Sequence, residues 1–154
     1  MIATELANAL TSIGKPVCMA AADRLIALTT ITTVIDLHLR NAGLTAADAQ
    51  ALAVALLNCG GIVGPSLRSF SASFNPDLGD AGAATLARAL PRSVTELGLV
   101  GCAIGDTGGC AILEWAQDAP NLQMMCVEGN KFSAEMRAQF RNLSLSDESI
   151  LVIV

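Results

Sequence analysis

Four stretches of the chain place apolar residues at one spacing. They are Val34-x-x-Leu37-x-Leu39, Leu67-x-x-Phe70-x-Ala72, Val94-x-x-Leu97-x-Leu99 and Leu122-x-x-Met125-x-Val127. Three residues after each comes a small or amide side chain, Ala42, Asn75, Cys102 and Asn130, and then another apolar residue, Leu44, Leu78, Ile104 and Phe132. Leu78 arrives one residue late, which requires an insertion around Pro76-Asp77. The stretches start 33, 27 and 28 residues apart, and the long first interval is taken up by that insertion and a loop from Asn58 to Ser66. Short alternating runs predict strands. Eight positions beyond each closing apolar residue stand Leu52, Leu86, Ile112 and Phe140, and the pairs Leu52/Leu56 and Leu86/Leu90 extend the stripe at i, i+4. Each strand is therefore followed by a helix with one apolar side. Helix starts are expected at Thr45 and Ser133, and at Gly79-Asp80-Ala-Gly82 and Gly105-Asp106-Thr-Gly108, where a side-chain oxygen can accept from free first-turn N–H groups.

The pattern divides the chain into residues 1–33, 34–141 and 142–154. The first segment is Ala/Leu-rich with helical spacing at Leu6/Leu10 and Leu25/Leu28, and Pro16 separates two helical stretches. It reads as a helical cap or degenerate repeat, which shields the first full unit from water. The last segment ends in Ile150-Leu-Val-Ile-Val154, which would be an aggregation hazard if left free. It is expected to close the array as a strand. The alternatives are a homodimer contact through Ile150–Val154 and a carboxy-terminal peptide motif.

With these residues in place, the chain resembles the leucine-rich repeat family, in particular its ribonuclease-inhibitor-like branch, over Val34 to Phe140. The resemblance implies an α/β right-handed solenoid, a short horseshoe with parallel strands on the concave face and helices on the convex face. It also implies a surface used for protein binding, and the branch includes a ribonuclease inhibitor and an activator of the Ran GTPase. The residue at the ninth position leaves the strand where backbone groups lie inside the turn. Ala42, Asn75, Cys102 and Asn130 accordingly form a turn ladder, in which an amide or thiol can bond that backbone and Ala42 cannot.

Composition narrows the partners. Hydrophobic residues make up 53% of 154 and charged residues 15%, so a large core is expected. The longest uncharged run, Ala49 to Leu67, is interrupted by Asn58, three glycines and Pro65, and predicts no membrane span. Glu5 interrupts any apolar export signal. A net charge of −5 argues against nucleic acid as the main partner. Five cysteines without a CxxC pair fit neither a disulfide framework nor a zinc site, so a cytoplasmic setting without metal or cofactor is expected.

The expected docking surface consists of strand residues pointing away from the helices: Asp36, His38, Arg40, Arg68, Ser71, Phe74, Glu96, Gly98, Met124, Cys126 and Glu128. Ile35, Ser69 and Ser73 are assigned to the same face. Phe74 and Met124 stand out as large apolar side chains expected in solvent. His38 and Ser71, on neighbouring strands with Asp36 nearby, suggest a hydrogen-bonded cluster. His38 and Cys126, three strands apart, would be separated by roughly 14 Å, beyond proton-transfer reach. No phosphate-loop pattern occurs among the glycine clusters, which read as turns. Trp115 is expected to pack between helices. Four short strands present on the order of 400 Å², below the ~800 Å² of a standard interface, so a partner must also engage loops or ends. The expected function is a non-enzymatic protein-interaction module, with enzyme regulation or self-assembly as alternatives.

Overall fold

The computed structural model describes residues 2–28, 34–58 and 66–154. Helices α1 (Ile2–Ile13) and α2 (Pro16–Ile26) come first. Strands and helices then alternate as β1 (Val34–His38), α3 (Ala46–Asn58), β2 (Ser66–Ser71), α4 (Gly79–Ala89) and β3 (Glu96–Gly98). They continue as α5 (Asp106–Gln117), β4 (Met124–Cys126), α6 (Ala134–Ser146) and β5 (Leu151–Ile153). The expectations for Cys59 and for the glycines at 60 and 61 lie outside the described residues.

All five strands pair in parallel in chain order. Sequential parallel order means that every crossover returns on one side, so the helices form a single layer against one sheet face. Leu37, Leu39, Phe70, Leu97, Leu99, Met125 and Val127 face Leu52, Leu56, Leu86, Ile112 and Phe140 across a buried core. This is the α/β solenoid that the family resemblance implies, with one more strand. The added strand is the tail: Val152 pairs with Met125, the same coil position one repeat on. Its exposure is limited by α6, since Ser144 Oγ accepts from Val152 N at 3.2 Å.

The first coil departs from the spacing. Leu67 pairs with Ile35, but the next partner of Asp36 is Ser69, so Arg68 has no opposite residue and β2 bulges. As a result β1 alternates strictly, with Ile35 buried and Val34 outside, which corrects the assignment of Val34 to the core and Ile35 to the open face. Ser69 and Ser73 are also buried.

Between coils, the turn backbone is satisfied by asparagine. Asn75 Oδ1 accepts from Ala42 N and Leu44 N, both at 3.0 Å, while its Nδ2 donates to Leu39 O and Ala72 O. Asn130 repeats this with Cys102 N, Ile104 N, Leu99 O and Val127 O. Each asparagine thus serves its own coil and the preceding one. Ala42 is accommodated because Asn75 reaches back to it. Cys102 links the second and third coils by its thiol, 3.2 Å from Ala72 O.

Helix starts are capped in two ways. Thr45 and Asp48 bond each other's backbone N–H, and Ser133 Oγ accepts from Met136 N at 3.0 Å. The expected local caps at Asp80 and Asp106 are instead made between coils. Asp80 Oδ1 accepts from Gly105 N and Gly108 N at the start of α5, and Asp106 Oδ1 accepts from Ser133 N. Trp115 Nε1 donates to Leu90 O, joining α5 to the end of α4.

Candidate functional site: the open sheet face

The sheet face opposite the helices carries Asp36, His38 and Arg68, all exposed, and Ser71, Gly98, Met124 and Cys126, partly exposed. Glu96 is exposed on β3, and Arg40, Phe74 and Glu128 follow the strands at the rim. Register aligns Asp36, Ser69, Glu96, Met124 and Leu151 in one column, and His38, Ser71, Gly98, Cys126 and Ile153 in the next.

At the first two strands, Asp36 accepts from Arg68 Nε at 3.0 Å and from Arg68 Nη2. The bulge supplies this contact by turning Arg68 out of the ladder. The Arg68 hydrogen bonds hold the Asp36 carboxyl below the usual carboxylate range. His38 stands opposite Ser71 in register, as the alternation suggests, while its Nε2 lies 2.8 Å from the Oγ of Ser69, two residues back on β2. Ser69 is buried, and the nearby carboxylate is engaged by Arg68. An acid–base–nucleophile relay needs a reachable hydroxyl and a carboxylate on the imidazole, and neither condition is met here. Among the described residues, no three His, Cys, Asp or Glu side chains are grouped to hold a metal ion.

Ser71 leans over the neighbouring strand, where Gly98 makes room: a Cβ at residue 98 would lie 2.8 Å from Ser71 Oγ. Ser73 Oγ accepts from Val100 N at 3.0 Å and so belongs to the rim backbone. Toward β4 the face becomes acidic. Burial raises the Cys126 thiol above its ordinary value, and the Glu128 and Glu96 carboxylates raise it further, so the thiol stays protonated at neutral pH.

The rim was the part least visible in sequence. After each strand the backbone turns through the left-handed region at Asn41, Phe74, Gly101 and Gly129, with φ of 51°, 60°, 61° and 72°. Two coils use glycine there, as the conformation favours, whereas the second uses a bulky aromatic. Phe74 is 40% exposed, lies against Gly101, and carries the Arg40 guanidinium 4.4 Å above its ring centroid. The glycines at 101 and 129, aligned on Phe74, were the available signal for this turn.

The described residues contain no helix long and apolar enough to cross a membrane. No curated protein matches the chain. A model of the leucine-rich repeat family matches residues 91–113, which run from the turn after α4 through β3 and its turn into α5, and the stacked strand–turn–helix coils on either side complete a short solenoid of that kind.

Proposed function

We propose that the chain is a non-enzymatic protein-interaction module that binds its partner through the open strand face and the rim loops. The observation that carries this reading is a five-stranded parallel sheet covered by helices on one side only, with Asp36, His38, Arg68 and Phe74 exposed on the other. The full helix in each coil, 11 to 13 residues in α3 to α6, supports the ribonuclease-inhibitor-like branch as its nearest relation. A net charge of −5 favours a protein over nucleic acid. The four described cysteines are unpaired, which suits a reducing, cytoplasmic setting.

Photo-crosslinking tests the face directly. A cross-linking side chain at Ser71, in the middle of the open face, should capture the cellular partner, and one at Glu114 on helix α5 should not. Arg68→Ala should abolish capture while leaving the thermal melt unchanged. Capture through residue 114 alone would overturn the assignment of the surface.

A further inference from the structure

The rim of the open face is electrically divided. At one end Arg40 is stacked on Phe74, and at the other stands Glu128. Among the described residues neither Arg40 nor Glu128 forms an ion pair. Between them the rim is apolar or bare: Phe74, Val100 and Gly101. Two features separate this stripe from an ordinary solvated edge. Phe74 retains an aromatic side chain at a left-handed backbone angle that disfavours any non-glycine residue, and it projects into solvent. Glu128 Oε2 is enclosed by protein yet has no hydrogen-bond donor, an arrangement that favours arrival of one.

Contact with Phe74 holds the Arg40 guanidinium over the ring, and among the described residues no carboxylate pairs with it, which leaves its N–H groups available for a forked contact with an incoming acid. Arg40 and Glu128 occupy the same coil position on the first and fourth strands, roughly 14 Å apart at the usual strand spacing. An extended peptide covers that span in about four residues.

We infer that the rim binds an extended segment of another protein carrying a carboxylate and a cation about four residues apart, with an apolar side chain between them. The carboxylate meets Arg40, the apolar residue packs on Phe74 and Val100, and the cation reaches Glu128. This rests on the protein-binding reading above and specifies the chemistry of its ligand.

The test is an NMR titration of the full chain with a blocked heptapeptide of sequence Gly-Asp-Ala-Leu-Ala-Lys-Gly. Saturable shifts are expected at the amides of Phe74, Gly101 and Gly129. A control peptide with asparagine and glutamine at the charged positions should bind about tenfold more weakly, since two charge pairs are removed. Arg40→Glu should weaken binding of the charged peptide, and replacing the peptide's aspartate by lysine should restore it, a rescue that a folding defect could not produce. Glu128→Gln should weaken binding without that rescue. No saturable shift at millimolar peptide, less than a tenfold gap between the peptides, or absent rescue overturns the inference. If those failures occur while residue 71 still captures the partner, only the ligand chemistry falls; loss of that capture as well removes the face itself.

Discussion

Asn75 shows how one side chain can decide whether two coils stack. It is fully buried and its amide group occupies five backbone partners belonging to both the first and second coils. Removing a partner from a buried N–H or C=O costs about 1–3 kcal/mol per group before relaxation or water entry. Asn75→Ala should therefore lower stability by about 3 kcal/mol or more in urea denaturation, and Asn130→Ala somewhat less, because that site is only partly buried. The same reach explains the alanine at position 42, where sequence alone could see only a missing donor. Cys102 occupies the ladder position in the third coil, and burial raises its thiol above the ordinary value. A raised value means that the fold favours the protonated form. That preference contributes stability fully present below the ordinary thiol range and lost as pH rises through the raised value, and Cys18 adds to it in the same direction, again chiefly through burial. Alkaline denaturation followed by circular dichroism should begin later for Cys102→Ala than for the unaltered chain, relative to each protein's neutral stability. Native thiol labelling at neutral pH should reach exposed Cys110 before Cys102 or Cys18.

At the scale of elements, the junction of α4 and α5 depends on a contact that helix propensity alone would misjudge. Glycine inside a helix ordinarily costs about 1 kcal/mol against alanine, so Gly108→Ala would be expected to stabilise α5. Here a Cβ at residue 108 would lie 2.7 Å from Ile104 Cγ2, 2.9 Å from Asp80 Oδ1 and 3.0 Å from the Asp80 backbone. The Asp80 carboxylate sits there because it caps the first turn of α5 from the neighbouring coil. Gly108→Ala should thus be destabilising by about 2 kcal/mol, the ordinary cost of overpacking, and Asp80→Ala by about 1 kcal/mol, the cost of a lost cap. The double variant should fall short of their sum, since both remove the same contact; thermal melts of the three proteins check this. The Gly-Asp-x-Gly signature marked both helix starts in the sequence but not the direction of the caps, because two coils must be stacked before an aspartate on one can be seen to serve the other. The phase of the strands shows the same boundary. Leu37, Leu39, Leu97 and Leu99 face the core as alternation requires. Val34 and Ile35 exchange places because the bulge belongs to β2 and is expressed only in its pairing with β1. His38 keeps its expected place opposite Ser71 but bonds the Ser69 hydroxyl, a choice only the folded strands reveal, and the Arg40–Phe74 stack follows from a left-handed turn that only the aligned glycines of later coils betray.

Taken whole, the molecule is a row of coils in which each touches only its neighbours, so stability should depend strongly on how the two ends are closed. The ends are built differently. At the beginning, α1 packs on α2 and α3 and buries Ala3, Leu6, Ala7 and Leu10, the two leucines completely. Lys15 then ties the cap to the first coil through Gly43 O and the Asp48 carboxylate. At the other end, Ile150 is buried just before β5 and Val152 on it is half-buried, while Leu151 and Ile153 remain 56% and 41% exposed. A cavity of about 420 Å³ lies between α5, α6 and the turn into β5, bordered by Ala116, Leu143, Asp147 and Ile150. Burying a leucine contributes about 1.5–3 kcal/mol, so the two on α1 alone supply about 3–6 kcal/mol, and their removal would also uncover the sides of α2 and α3 on which α1 packs. Set against the 5–15 kcal/mol that ordinarily separates folded from unfolded chains, that loss is close to the whole. Deleting residues 2–13 should accordingly abolish the cooperative urea transition. Deleting residues 148–154, which removes one fully packed side chain, should shift the transition by about 2–4 kcal/mol and leave it cooperative. In the intact chain, amide exchange should be faster in α6 than in α3 to α5, because α6 is open to that cavity on the side where the other helices meet a neighbour. A truncation series in which the tail proved the more costly end, or an exchange map uniform from α3 to α6, would mean that coupling along the row extends beyond adjacent coils.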